Sequence, residues 1–89
     1  MTEALRNREL NSLTPYEALL RSFGFHQHVS ASEHLIARTI LERAVNEAPD
    51  RADCWAMLSW LYRSEYSHGF NELPGSLDRA LVAARRAVE

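Results

Sequence analysis

Residues 37–62 read ARTILERAVNEAPDRADCWAMLSWLY, and this stretch decides the fold. Its first half carries Ala37-x3-Leu41-x2-Ala44 and closes on Pro49; its second half carries Trp55-x2-Leu58-x3-Tyr62. Residues spaced three and four apart share one side of a helix, and where they are small a second helix can come close. Pro49 has no N–H to continue a helix, so the two halves are separate helices joined by a short turn. The alanine pattern is then written again as Ala80-x3-Ala84-x2-Ala87, and both copies end in Arg-Ala-Val (Arg43-Ala44-Val45, Arg86-Ala87-Val88). A close-packing helix written twice is the signature of an all-α repeat array, whose units stack and present a surface.

Outward from this stretch the chain is punctuated by start and stop signals. Thr14-Pro15-Tyr16-Glu17 combines an N-cap threonine, a proline at the first helical position and a glutamate placed for a capping box. It predicts a first helix over about 15–28, with Tyr16, Leu19, Leu20 and Phe23 on one side. Gly24 inside that helix costs about 1 kcal/mol against alanine or admits a neighbouring helix. Ser30-Ala31-Ser32-Glu33 is a second box and predicts a helix over about 31–48, with Leu35, Ile36, Ile40, Leu41, Ala44 and Val45 on the buried face. Asp50 is placed to cap a third helix over about 51–66, apolar around most of its circumference and therefore covered on two sides. Ser67 to Gly75 reads as a loop, with glycine, asparagine and proline clustered in it. Ser76 is placed to cap a fourth helix over about 77–89, carrying Leu77, Ala80, Leu81, Ala84 and Val88. Residues 1–13 are polar with scattered leucines and are read as a flexible segment. No stretch shows strand alternation.

Composition narrows the function. Eighty-nine residues, 46% hydrophobic and 25% charged, describe one small globular domain. A net charge of −2 gives no case for nucleic acid. The single cysteine, Cys54, excludes an internal disulfide framework. No apolar run approaches the roughly 20 residues that cross a bilayer, and the start lacks the apolar stretch of a signal peptide. The expectation is a cytoplasmic chain without membrane contact.

The motifs resemble a known family. Trp55-x2-Leu58-x3-Tyr62 followed by Ala80-x3-Ala84-x2-Ala87 is similar to the tetratricopeptide repeat, and Ala37-x3-Leu41-x2-Ala44…Pro49 matches the second half of such a repeat. Tyr16, Leu19 and Phe23 supply a looser first half. The likeness covers about residues 14–89. Ser59 stands where the family prefers glycine and Ala84 where it prefers a bulky aromatic, and both intra-repeat turns are longer than usual. Such long-turn variants are similar to the repeat regions of bacterial adenylate or guanylate cyclase-like proteins and winged-helix regulators. The resemblance implies two stacked antiparallel helical hairpins, about 14–48 and 50–89, in a tetratricopeptide-like superhelix. It implies a non-enzymatic protein-interaction module with a protein or peptide partner, self-associating as a dimer or continuing into further repeats. The alternatives are a signalling fragment of a larger cyclase or transcriptional regulator, and a small ligand- or metal-binding bundle.

No catalytic, cofactor or metal site is expected. His26 and His28 are two apart and point away from each other on a helix, and no cysteine or acid pair stands at ligand spacing with His34 or His68. Cys54 is read as a small packed side chain, since Asp50 and Asp53 beside it disfavour a thiolate. The candidate protein-binding residues are Trp60, Tyr66, Phe70, Leu73, Arg79, Leu81, Arg85 and Val88. Trp60 lies on a different side of its helix from Trp55, and either packs on the preceding hairpin or lines a groove. Phe70 and Leu73 are apolar loop residues suited to a neighbouring surface or a partner. Arg38, Arg43, Arg79, Arg85 and Arg86 form either a carboxylate clamp or ordinary pairs with Glu42, Glu47 and Asp78.

Overall fold

The computed structural model describes residues 12–89, in which five helices are joined by turns and loops and no strand occurs. Residues 1–11 of the segment read as flexible lie outside the described residues, and Leu13 packs against the core. Helix α1 spans Pro15–Ser22 and starts with a complete capping box. The Thr14 hydroxyl accepts from the Glu17 N–H, and the Glu17 carboxylate accepts from the Thr14 N–H. These bonds hold the Glu17 carboxyl below its ordinary pKa.

The helix expected over 15–28 is interrupted at Phe23. The Phe23 N–H bonds back three residues to Leu20, and His26 bonds back three to Phe23. This tighter turn leads into the short α2, Gly24–Gln27, which buries Phe25 completely. Gly24 sits under the Arg21–Glu33 ion pair; a Cβ there would come within 2.9 Å of the Arg21 Nη1.

Helix α3 spans Ala31–Glu47. Ser30 caps it by accepting from the Glu33 N–H, but the Glu33 side chain turns to Arg21, so only half of the second box forms. Leu35 is exposed, and His34 and Arg38 take buried positions on the face that Ala37, Ile40 and Leu41 line. Helix α4 spans Ala52–His68. Its N-cap is Arg51 rather than Asp50, and Asp53 accepts from the Cys54 N–H. Helix α5 spans Ser76–Val88, with Gly75 as N-cap at φ 78°. Ser76 is already helical and spends its hydroxyl on Glu65 and the Leu73 carbonyl.

α4 and α5 run in opposite directions. Along α4 and α5 the pairs are Trp55 with Arg86, Ser59 with Ala80, Tyr62 with Arg79 and Glu65 with Ser76. α4 meets α1 start to start, where the Cys54 thiol reaches the Pro15 carbonyl at 3.6 Å, and meets α2 at Trp60. α4 therefore lies against α1 and α3 on one side and α5 on another, as its apolar circumference predicts. Small residues bring α5 close. Ser76, Ala80 and Ala83 are buried, and the Ser59 hydroxyl donates to the Ala80 carbonyl at 2.8 Å. The alanine stripe is thus shifted from the expected one: Ala83 faces α4, and Ala84 is exposed.

Candidate functional site

Two surfaces of the α4/α5 hairpin carry the residues of interest, one turned inward and one outward. The inward one is a polar knot around Glu65. An acid at position 65 continues the stripe of Leu58 and Leu61, so it is carried into the interior and is fully buried. A carboxylate is tolerated there only if donors surround it. Arg38 of α3 donates at 3.0 Å, Arg79 of α5 donates through both of its terminal nitrogens at 3.2 and 2.6 Å, and Ser76 donates at 3.0 Å. Burial pushes the Glu65 carboxyl up, but these donors outweigh it and hold its pKa below the ordinary value.

The knot also ties the α4–α5 loop. Arg38 and Arg79 donate to the carbonyls of Asn71 and Leu73. Asn71 adopts φ 49°, a left-handed conformation that asparagine tolerates, and its amide donates to the Ala31 carbonyl and to His34 Nδ1. His34 is fully buried, and its Nε2 lies 2.8 Å from the Leu61 carbonyl. A carbonyl only accepts, so Nε2 carries the proton and Nδ1 receives the Asn71 donor. Burial lowers the His34 pKa, which keeps the ring neutral.

The candidates divide between the two surfaces. Trp60 stacks on His26 at 4.3 Å between centroids and meets Phe25 edge-on at 5.0 Å. Phe70 meets Phe25 at 6.1 Å and stacks on His68 at 5.1 Å. Both are half-buried and seal the loop against α2. Arg79 is held by Glu65 and lies over the Tyr62 ring. Arg38 is likewise committed inward, Arg43 pairs with Glu47, and Arg86 lies over Trp55, so these arginines do not converge on one point. Glu42 accepts from the Tyr62 hydroxyl, and burial followed by that bond raises the tyrosine pKa.

Tyr66, Leu73, Leu81, Arg85 and Val88 face outward. With Leu77 they line the outer side of the hairpin: Leu77, Leu81 and Val88 are 51%, 52% and 86% exposed, and Tyr66 is 62% exposed. Positions 77, 81, 84 and 88 form a stripe spaced four, three and four, complementary to the buried small stripe on the same helix. At its upper end an open depression of about 400 Å³ lies among Tyr66, Leu73, Pro74 and Leu77, with Glu72 and Asp78 beside it.

Among the described residues no group of three or more His, Cys, Asp or Glu is placed to hold a metal ion, and no helix is long and apolar enough to cross a membrane. Cys54 is fully buried, and burial followed by the Asp53 charge raises its thiol pKa, the opposite of an activated nucleophile. Glu65 was not singled out from sequence, and His34 was weighed only as a metal ligand, although each shows a usable sign of burial: a titratable residue standing on an apolar helical stripe. Comparison with protein-family models, with curated proteins and with solved structures finds no match to this chain.

Proposed function

We propose that this chain is a non-enzymatic protein-interaction module of tetratricopeptide-like build, two helical hairpins stacked in a superhelix, that presents the outer face of α4/α5 to a helical partner. The observation that carries this reading is the apolar stripe of α5. Leu77, Leu81 and Val88 stand at helical spacing and more than half exposed, beside exposed Tyr66 and Leu73. Such a stripe is suited to a second helix that lays its own stripe against it. The rest of the hairpin supports the role by its rigidity. The Glu65 knot fixes the loop that frames one end of the face, so the surface is pre-organised and loses little entropy on binding.

A photo-crosslinking residue placed at Leu81 in the full chain, expressed in the source cell, tests the proposal. An adduct with a protein is expected from position 81 and not from Thr39, which is exposed on α3. Equal yields from the two positions, or none from position 81, would overturn it.

A further inference from the structure

The exposed apolar residues of this molecule fall on more than one face. Besides the α5 stripe, α1 exposes Tyr16, Leu20 and Phe23, spaced four and three apart and each roughly half exposed. Inside the molecule α4 already shows what a helix does against a hairpin. It lies on α1 and α3, antiparallel to α3 and start to start with α1. The outer face of α4/α5 offers the same kind of seat. On α4 it has Ala56 and Tyr66 at the edge, and on α5 it has Leu77, Leu81 and Ala84.

Resting on the reading of that face as an interaction surface, we propose that its partner is the α1 helix of a second copy of this chain, docked head to tail. Charge selects the direction. α1 is acidic in its first turn (Glu17) and basic in its last (Arg21), and α5 is acidic in its first turn (Asp78) and basic in its last (Arg85). Laid antiparallel, as α4 is to α3, α1 of the second copy brings Glu17 to Arg85, while Arg21 stays with its own Glu33. The parallel arrangement would set Glu17 against Asp78. The antiparallel direction also carries Phe23 to the depression between Tyr66 and Leu77, whose rim holds Glu72 and Asp78. The contact uses a different surface on each copy, so it does not close on itself by a two-fold axis, and addition can continue. A single helix in a shallow seat makes a small interface, which places the association in the weak class.

Sedimentation of the full chain tests this, with circular dichroism confirming that each variant keeps its helicity. The wild type is expected to grow beyond a dimer as concentration rises from roughly 10 µM to 1 mM, the range of weak interfaces. Leu81→Asp and Leu20→Asp each remain monomeric alone, the first lacking the seat and the second lacking the stripe. Mixed, they form a one-to-one complex and stop there, because one intact contact can be assembled from the pair. Should either variant lose helicity, Leu77→Asp and Tyr16→Asp replace them with the same expected pattern. A wild type that stays monomeric throughout the range would overturn the proposal. So would a Leu20→Asp chain that associates like the wild type while Leu81→Asp does not, since that pattern means α5 against α5. Monomers in solution together with a crosslink from position 81 to another protein would sink the second copy and leave the interaction face standing.

Discussion

Glu65 and His34 are neighbours in the interior with opposite needs, one held charged and the other held neutral. Both make the fold lose stability in acid, but in different windows. The folded pKa of His34 lies below the unfolded value of 6.5, so the unfolded chain takes the proton first. Its contribution is complete above pH 6.5 and is lost as pH falls from there toward the folded value. For Glu65 the folded pKa lies below 4.5, so its contribution is present above that pH and is lost as pH falls through the folded value. Urea midpoints measured against pH should therefore hold steady at neutral pH, begin to fall below 6.5 and fall again below 4.5. Glu65→Gln should shrink the lower step, leaving the part that Glu17 contributes, and cost about 3 kcal/mol at pH 7, as the loss of one member of a buried ionic cluster does. His34→Gln should flatten the upper step. A midpoint that is flat down to pH 4.5 would contradict the account of His34.

At the scale of the helix, the starts of α1 and α3 were legible because their caps are local, whereas those of α4 and α5 fall on Arg51 and Gly75. Thr14, Pro15 and Glu17 meet within one turn, and Ser30 with Glu33 does the same. What the stripe alone could not decide was the rotation of α5. Alanines stand at 80, 83, 84 and 87, so two neighbouring faces of the helix are both small, and either fits a close-packing partner. The choice is made by contacts distant in sequence: Ala83 is buried against α4, and the Ser59 hydroxyl bonds to the Ala80 carbonyl 21 residues away. The prediction is asymmetric. Ala83→Leu should cost about 1–3 kcal/mol by forcing α4 and α5 apart, whereas Ala84→Leu should change stability by less than about 0.5 kcal/mol. Thermal or urea unfolding of the two variants checks it, and equal costs would mean that α5 is rotated from the position described. The placement of Trp60 and Phe70 was open for a similar reason. Each is apolar and each stands on a possible surface; Trp60 is covered by Phe25 and His26 of α2, and Phe70 by the return of its loop onto Phe25.

Across the whole molecule, on the repeat-array reading proposed above, stability would be a sum over units and junctions, and the molecule would melt piece by piece. Glu65 departs from that scheme. Arg38 reaches it from the first hairpin, and Arg79 and Ser76 reach it from the second. If either hairpin opened alone, the Arg38–Glu65 pair would be broken along with the packing between them, so the half-melted state loses both. Calorimetric and van't Hoff enthalpies of the wild type should therefore agree, the mark of a transition without intermediates. Arg38→Met leaves Glu65 satisfied from the second hairpin only, and its ratio of van't Hoff to calorimetric enthalpy should fall below that of the wild type. An unchanged ratio would place the coupling elsewhere. On this account one buried side chain sets whether the molecule melts once or twice, and the α4–α5 loop, held by the same arginines, is tied to that choice.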